Sequence, residues 1–123
     1  MPIKQPLLAV SAATLLTLAS ATALAEMPEL NLSGNAEAGK EIAMDRSRGN
    51  CIACHVLPGG ESPGAIGPAL VAMQTRYSSK QDLAQQIWDP TIKNPDAVMP
   101  PFGKHGILSD KEFVDVVEYV WSL

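Results

Sequence analysis

The chain has 123 residues, with nine basic against thirteen acidic side chains for a formal net charge of −4, and six aromatic residues in all. That length suits a single domain, and the acidic balance argues against nucleic acid as a partner. A net negative surface is compatible with docking to a basic patch on a protein partner, and equally with keeping a small protein in solution.

Residues 1–25 read as a secretory leader. Lys4 supplies a basic start, the stretch from Leu7 to Leu18 is apolar, and Ala23-Leu24-Ala25 offers the small residues that signal peptidase requires. The alternative is a membrane anchor, but the apolar stretch is shorter than the ~20 residues a spanning helix needs. Cleavage would leave a mature chain of residues 26–123 in the periplasm, free of the membrane, with eight basic and thirteen acidic residues. Such a chain is small for a self-sufficient apolar core, so a large buried cofactor would help to hold it together.

From Glu26 to Gly34 the turn formers and weak periodicity predict a loose lead-in. Asn35 then caps a predicted helix that runs to about Asp45 or Arg46, with Ala36, Gly39 and Ala43 forming a small-residue stripe beside Ile42. Glycine inside a helix costs about 1 kcal/mol relative to alanine. A close helix crossing at Gly39 explains that cost, and simple tolerance is the alternative.

Next comes Cys51-Ile52-Ala53-Cys54-His55. In C-x-x-C-H two thiols one short turn apart can each add to a vinyl group on the same porphyrin edge, while the adjacent imidazole is aimed at the iron. Export would otherwise make two cysteines read as a disulfide, but a Cys51–Cys54 bridge closes a very short loop and contributes little entropy. A thioredoxin-like dithiol lacks its βαβ surroundings, and a zinc site would need His105 plus another ligand. The motif therefore predicts one haem c, bound through thioethers at Cys51 and Cys54 with His55 on the iron, and leaves no free thiol on the mature chain.

Leu57 to Pro68 contains four glycines and three prolines, enough to make it a loop wrapping one side of the haem. A proximal imidazole normally donates its other N–H to a fixed acceptor. The Pro68 carbonyl is the candidate, with Gly67 permitting close backbone approach; an ordinary surface turn is the alternative. A short helix follows near Leu70. Ser79 caps a clearer one through Trp88, with Leu83, Ala84, Ile87 and Trp88 on one face before Asp89-Pro90 stops it. Trp88 touches the haem or fills core.

For the sixth iron position, Met27, Met44, Met73 and Met99 are available after cleavage. Met99 is the choice, because Pro100 and Pro101 fix φ and present the thioether from a stiff, extended segment. Met44 and Met73 suit core filling. His105 is the rival, and would give a two-histidine haem of lower potential. The last helix begins at an S-x-x-E capping box, Ser109 and Glu112, with Leu108 and Phe113 placed as a hydrophobic staple. Phe113, Val116, Val117, Val120 and Trp121 form its apolar face, with Asp115, Glu118 and Ser122 on the other side. Packing that face on the Gly39 stripe would close an all-α domain near the haem edge.

An N-terminal helix, C-x-x-C-H, a Gly-Pro segment, a methionine loop and a C-terminal aromatic helix, in that order, resemble the class I cytochrome c fold across nearly all the mature chain. More narrowly, Gly49 to His55, Gly59 to Gly64, Ile66-Gly67-Pro68 and the run from Val98 to Leu108 resemble the SoxX sulfur-oxidation cytochromes. That resemblance implies a periplasmic heterodimer with a SoxA cytochrome subunit, the pair acting as an L-cysteine S-thiosulfotransferase that attaches thiosulfate to a carrier-protein cysteine. The catalytic haem and its cysteine ligand would belong to SoxA, and the haem held by Cys51, Cys54, His55 and Met99 would receive electrons and pass them to a downstream acceptor. A free periplasmic electron carrier is the second reading. A ligand-binding or sensory haem protein is a third, which would require Met99 to be weak on the iron or absent from it.

Overall fold

The computed structural model describes residues 26–123; the expected leader lies outside the described residues. The first helix, α1, spans Ala36–Met44. Asn35 starts it as the sequence predicts, from an extended conformation, with its side-chain oxygen accepting from the Ala38 N–H at 3.0 Å. Such a cap satisfies one of the amides that a helix start leaves without an internal partner. A single 3₁₀ turn follows at Cys51–Ala53, then the short helix α2 at Met73–Arg76. Next come α3 at Lys80–Trp88, a second 3₁₀ turn at Pro90–Ile92, and α4 at Asp110–Trp121. No strand occurs among the described residues.

The helix starts follow their sequence signals closely. Ser79 accepts from the Asp82 N–H at 3.1 Å, and Ser109 and Glu112 close a full capping box. Leu108 and Phe113 are both buried, as a staple across that start requires. The short helix begins at Met73, three residues beyond Leu70, because Ala72 adopts a left-handed conformation (φ 52°) that cannot continue a helix backwards.

Helices α1 and α4 cross in close contact and form the frame. A Cβ on Gly39 would lie 1.9 Å from the Asp115 carbonyl oxygen and 2.9 Å from the Tyr119 Cβ, so the backbones touch where any side chain would hold them apart. The predicted crossing is present, but the α4 surface that meets Gly39 is Asp115 and Tyr119. The apolar stripe expected there faces elsewhere: Phe113 stands edge-on to Trp88 at 5.4 Å, and Val116 and Val120 line a cleft.

Two expectations are corrected by this packing. Asp115 was assigned to the polar side of α4, yet it is only 4% exposed. Its carboxylate accepts from the Asn35 N–H at 2.8 Å and from Lys111 Nζ at 2.6 Å. Burial alone would push that carboxyl up, but these two donors hold it below its ordinary value. The lead-in is likewise not loose: Met27 is buried, the Gly34 N–H donates to Glu118, and Lys80 reaches both Glu118 and the Leu32 carbonyl. Tertiary partners on α3 and α4 fix this segment, which is why periodicity along the segment itself gave no sign of order.

Gly39→Ala should destabilise the protein by about 2–3 kcal/mol or more, because overpacking at a backbone contact outweighs the ~1 kcal/mol by which alanine favours a helix. Urea unfolding measures this, and a variant as stable as the parent would show that the crossing is not close.

Candidate haem site

A cleft of about 620 Å³ runs between the Cys51–His55 segment, the Ile66–Met73 segment, α3, the Pro90–Leu108 segment and α4. Cys51, Cys54 and His55 all line it, and so do Pro68, Met73 and Met99. Leu70, Leu83, Ile87, Phe102, Val116 and Val120 make much of its wall apolar.

Local structure explains how the C-x-x-C-H segment reaches the cleft. The Gly49 N–H donates to the Ile42 carbonyl at 3.2 Å and the Asn50 N–H to the Asp45 carbonyl at 3.0 Å, which turns the chain sharply after α1. Asn50 takes the left-handed conformation there (φ 48°), a region that asparagine tolerates better than most residues. The His55 N–H then donates to the Cys51 carbonyl at 2.9 Å, fixing the two thiols and the imidazole within one turn.

The glycine-rich segment lies alongside. The N–H groups of Gly64, Gly67 and Leu70 donate to the carbonyls of Ile52, Cys54 and Val56 at 2.8–2.9 Å. This pairing carries Pro68 to the imidazole: His55 Nδ1 is 2.6 Å from the Pro68 carbonyl oxygen. A carbonyl only accepts, so Nδ1 carries the proton and Nε2 keeps its lone pair for a metal. A Cβ on Gly67 would lie 2.3 Å from His55 Cε1, so the ring rests directly against the backbone.

Of the groups proposed for the far side of the iron, Met99 lines the cleft and is half-buried, whereas His105 is exposed and does not line it. Met73 also reaches the cleft, but it is buried in α2 with its sulfur 3.7 Å from Arg76 Nη1, in keeping with core filling. Met27 and Met44 do not line the cleft. Trp88, left open between haem contact and core, packs on Phe113 and against Gly103, where a Cβ would lie 1.8 Å from its Cε3. It does not line the cleft.

Three features in and around the site were not anticipated from sequence. Arg46, Arg48 and Arg76 line the cleft of an acidic chain. The Asn50 Oδ1 atom in its wall is buried without a hydrogen-bond partner among the described residues. Asp89, read only as part of a helix stop, is 2% exposed; its carboxylate accepts from Lys104 and Thr91, which together hold it below the usual carboxylate range. Arg46-Ser47-Arg48 ahead of the cysteines was a visible signal. The others depend on tertiary placement.

These residues fit a haem. The apolar walls suit a macrocycle, the arginines suit its carboxylates, and two thiols stand beside an oriented imidazole. Burial pushes the Cys51 thiol up to about 11, the reverse of the lowered thiol of a redox-active dithiol.

The chain belongs to the cytochrome c family, whose model matches residues 36–123. With its helices and C-x-x-C-H in this order it has the class I cytochrome c fold, and family membership implies covalently bound haem c and a role in electron transfer. Within that class it is SoxX-like: it is similar to a chain in the crystal structure of SoxXA from P. pantotrophus, at 27% identity and a TM-score of 0.64, over 71% of this chain and 80% of that one. It is also 34% identical, over 74 residues and 59% of its own length, to an uncharacterized lipoprotein of Aquifex aeolicus (strain VF5); this chain spans 36% of that protein's length. Among the described residues no helix is long and apolar enough to cross a membrane.

When bound, haem supplies a one-electron couple at its iron. The residues of this chain prepare the site for it: Pro68 and Gly67 fix the orientation of the His55 ring, and the apolar wall limits water. At the mouth of the cleft Ile66 and Val98 are 73% and 79% exposed, so apolar surface continues outward from the site.

Proposed function

We propose that this protein is the haem c electron-transfer subunit of a periplasmic SoxAX-type complex, acting after removal of residues 1–25. Cys51 and Cys54 attach the haem, and His55 and Met99 ligate its iron. In the reaction, oxidative coupling of thiosulfate to a carrier-protein cysteine releases electrons, which this subunit accepts and passes to a downstream acceptor. The catalytic haem and cysteine belong to the SoxA partner.

The observation that carries this reading is the likeness to a chain of SoxXA, at an identity above what fold alone would need to explain it. The cysteines support it: both lie in the cleft beside His55, and attachment of haem consumes them, so thiol chemistry must occur on another subunit. The exposed apolar rim at Ile66 and Val98 supports close docking of a partner near the cofactor. Met99 is favoured over His105 because it lines the cleft, whereas His105 points its exposure to solvent and bonds only locally, its N–H to the Pro101 carbonyl at 3.0 Å.

Replacing Met99 with alanine should abolish the sulfur-to-iron charge-transfer band of the oxidised protein and lower the reduction potential on the order of 0.1 V, a part of the roughly 0.8 V range that axial ligands span. His105→Ala should leave band and potential nearly unchanged, and the opposite pattern in an optical redox titration would reverse the ligand assignment.

Purification from periplasm tests the partner. A second cytochrome should co-elute, and thiosulfate conjugation should require both chains. Elution alone, with electron shuttling and no conjugation, would make this protein a stand-alone carrier.

A further inference from the structure

The segment between Pro90 and Leu108 carries Met99, yet it is neither helix nor strand beyond its first 3₁₀ turn. Its internal bonds are short-range: the N–H of Asn94 donates to Pro90, that of Asp96 to the Asn94 side chain, Ala97 to Asn94, His105 to Pro101, Gly106 to Gly103, and Ile107 and Leu108 to Phe102. None of them is made by the backbone of Val98 or Met99. Prolines at 100 and 101 stiffen the chain after Met99 but do not attach it to the rest of the fold.

Within the segment Lys93 pairs with Asp82 of α3 at 3.2 Å and Phe102 is buried, and a further attachment joins its two ends. At the start, Asp89 caps the turn at Pro90–Ile92, accepting from the Thr91 N–H at 3.1 Å and from its hydroxyl. Fifteen residues later Lys104 returns to the same place, its N–H donating to the Trp88 carbonyl at 3.2 Å and its ammonium to Asp89 Oδ2 at 2.5 Å. The Asp89 side chain is 1% exposed and that of Lys104 33%. A carboxylate so enclosed depends on its cation, and truncating one member of such a pair leaves the other buried without compensation. Gly103 lets Lys104 come this close, since Trp88 occupies the place a side chain would need.

We propose that the Asp89–Lys104 pair is a positioning device for the axial thioether: it closes the base of the Met99 segment and so sets how seldom Met99 leaves the iron. This rests on the reading of Met99 as the sixth ligand. Neither residue lines the cleft; they act by holding the ends of the segment together. A merely structural ion pair would alter stability while leaving ligand exchange alone.

Exogenous imidazole enters the ferric haem only when methionine is off, so its rate of uptake reads the fraction of time the segment is open. In Lys104→Leu and Asp89→Asn, uptake should rise by about tenfold or more, the scale expected when a hydrogen bond between charged groups is lost. Lys104→Arg, which restores a cation, should return it towards the parent rate. Lys80→Leu, which breaks the Lys80–Glu118 pair between α3 and α4 without touching this segment, should leave uptake unchanged. Asp89→Asn keeps an oxygen for the Thr91 cap, so it carries the test if Lys104→Leu does not accumulate. Unchanged uptake in the folded variants, or equal acceleration in Lys80→Leu, would overturn the proposal. Absence of the sulfur-to-iron band in the parent protein would instead remove the Met99 reading, and the tether with it.

Discussion

The contact on which the rest of the structure depends is the backbone-to-backbone crossing of α1 and α4 at Gly39. With no side chain at that point, the Asp115 carbonyl and Tyr119 come directly against the first helix. The approach brings Asp115 within reach of the Asn35 amide, so the helix that needs a start and the helix that supplies a buried carboxylate stabilise each other. Helix α1 ends at Met44, beyond which Asp45 is extended. From there the turn through Gly49 and Asn50 delivers the two cysteines and His55 into the cleft that Val116 and Val120 of α4 help to form.

The two sides of the site are held differently by that frame. His55 is held from several directions, by its own turn, by the Pro68 carbonyl and by the Gly67 backbone. Met99 sits on a segment whose own backbone makes no bond at Val98 or Met99 and which is held by Lys93, Phe102 and the Asp89–Lys104 pair. On the proposed ligand set, an oriented imidazole from His55 and a softer thioether from Met99 would hold the iron for electron transfer. The apolar rim at the cleft mouth places the cofactor near a surface that water covers poorly, and a partner can cover it.

Much of this was legible in the sequence because its signals are local. Asn35, Ser79 and the Ser109/Glu112 box mark three helix starts through bonds that span three residues, and C-x-x-C-H states its chemistry within five. The Pro68 carbonyl could be picked out because a Gly-Pro step is a recognisable way to bring backbone against a ring. What escaped depends on distant partners. Asp115 sits on the polar side of a helical projection, and only the absence of a side chain at Gly39 on another helix turns that side inward. The lead-in shows no periodicity because its order comes from Glu118 and Lys80. Asp89 reads as punctuation before a proline until Lys104 is seen beside it.

One covalent haem is the central feature of this protein. Intact mass of the purified protein in denaturing acid measures this in a single experiment. The predicted result is a polypeptide mass increased by one haem, the haem staying with the polypeptide after unfolding. A polypeptide mass without haem, or haem released by the acid, would contradict thioether attachment at Cys51 and Cys54 and with it the site described above.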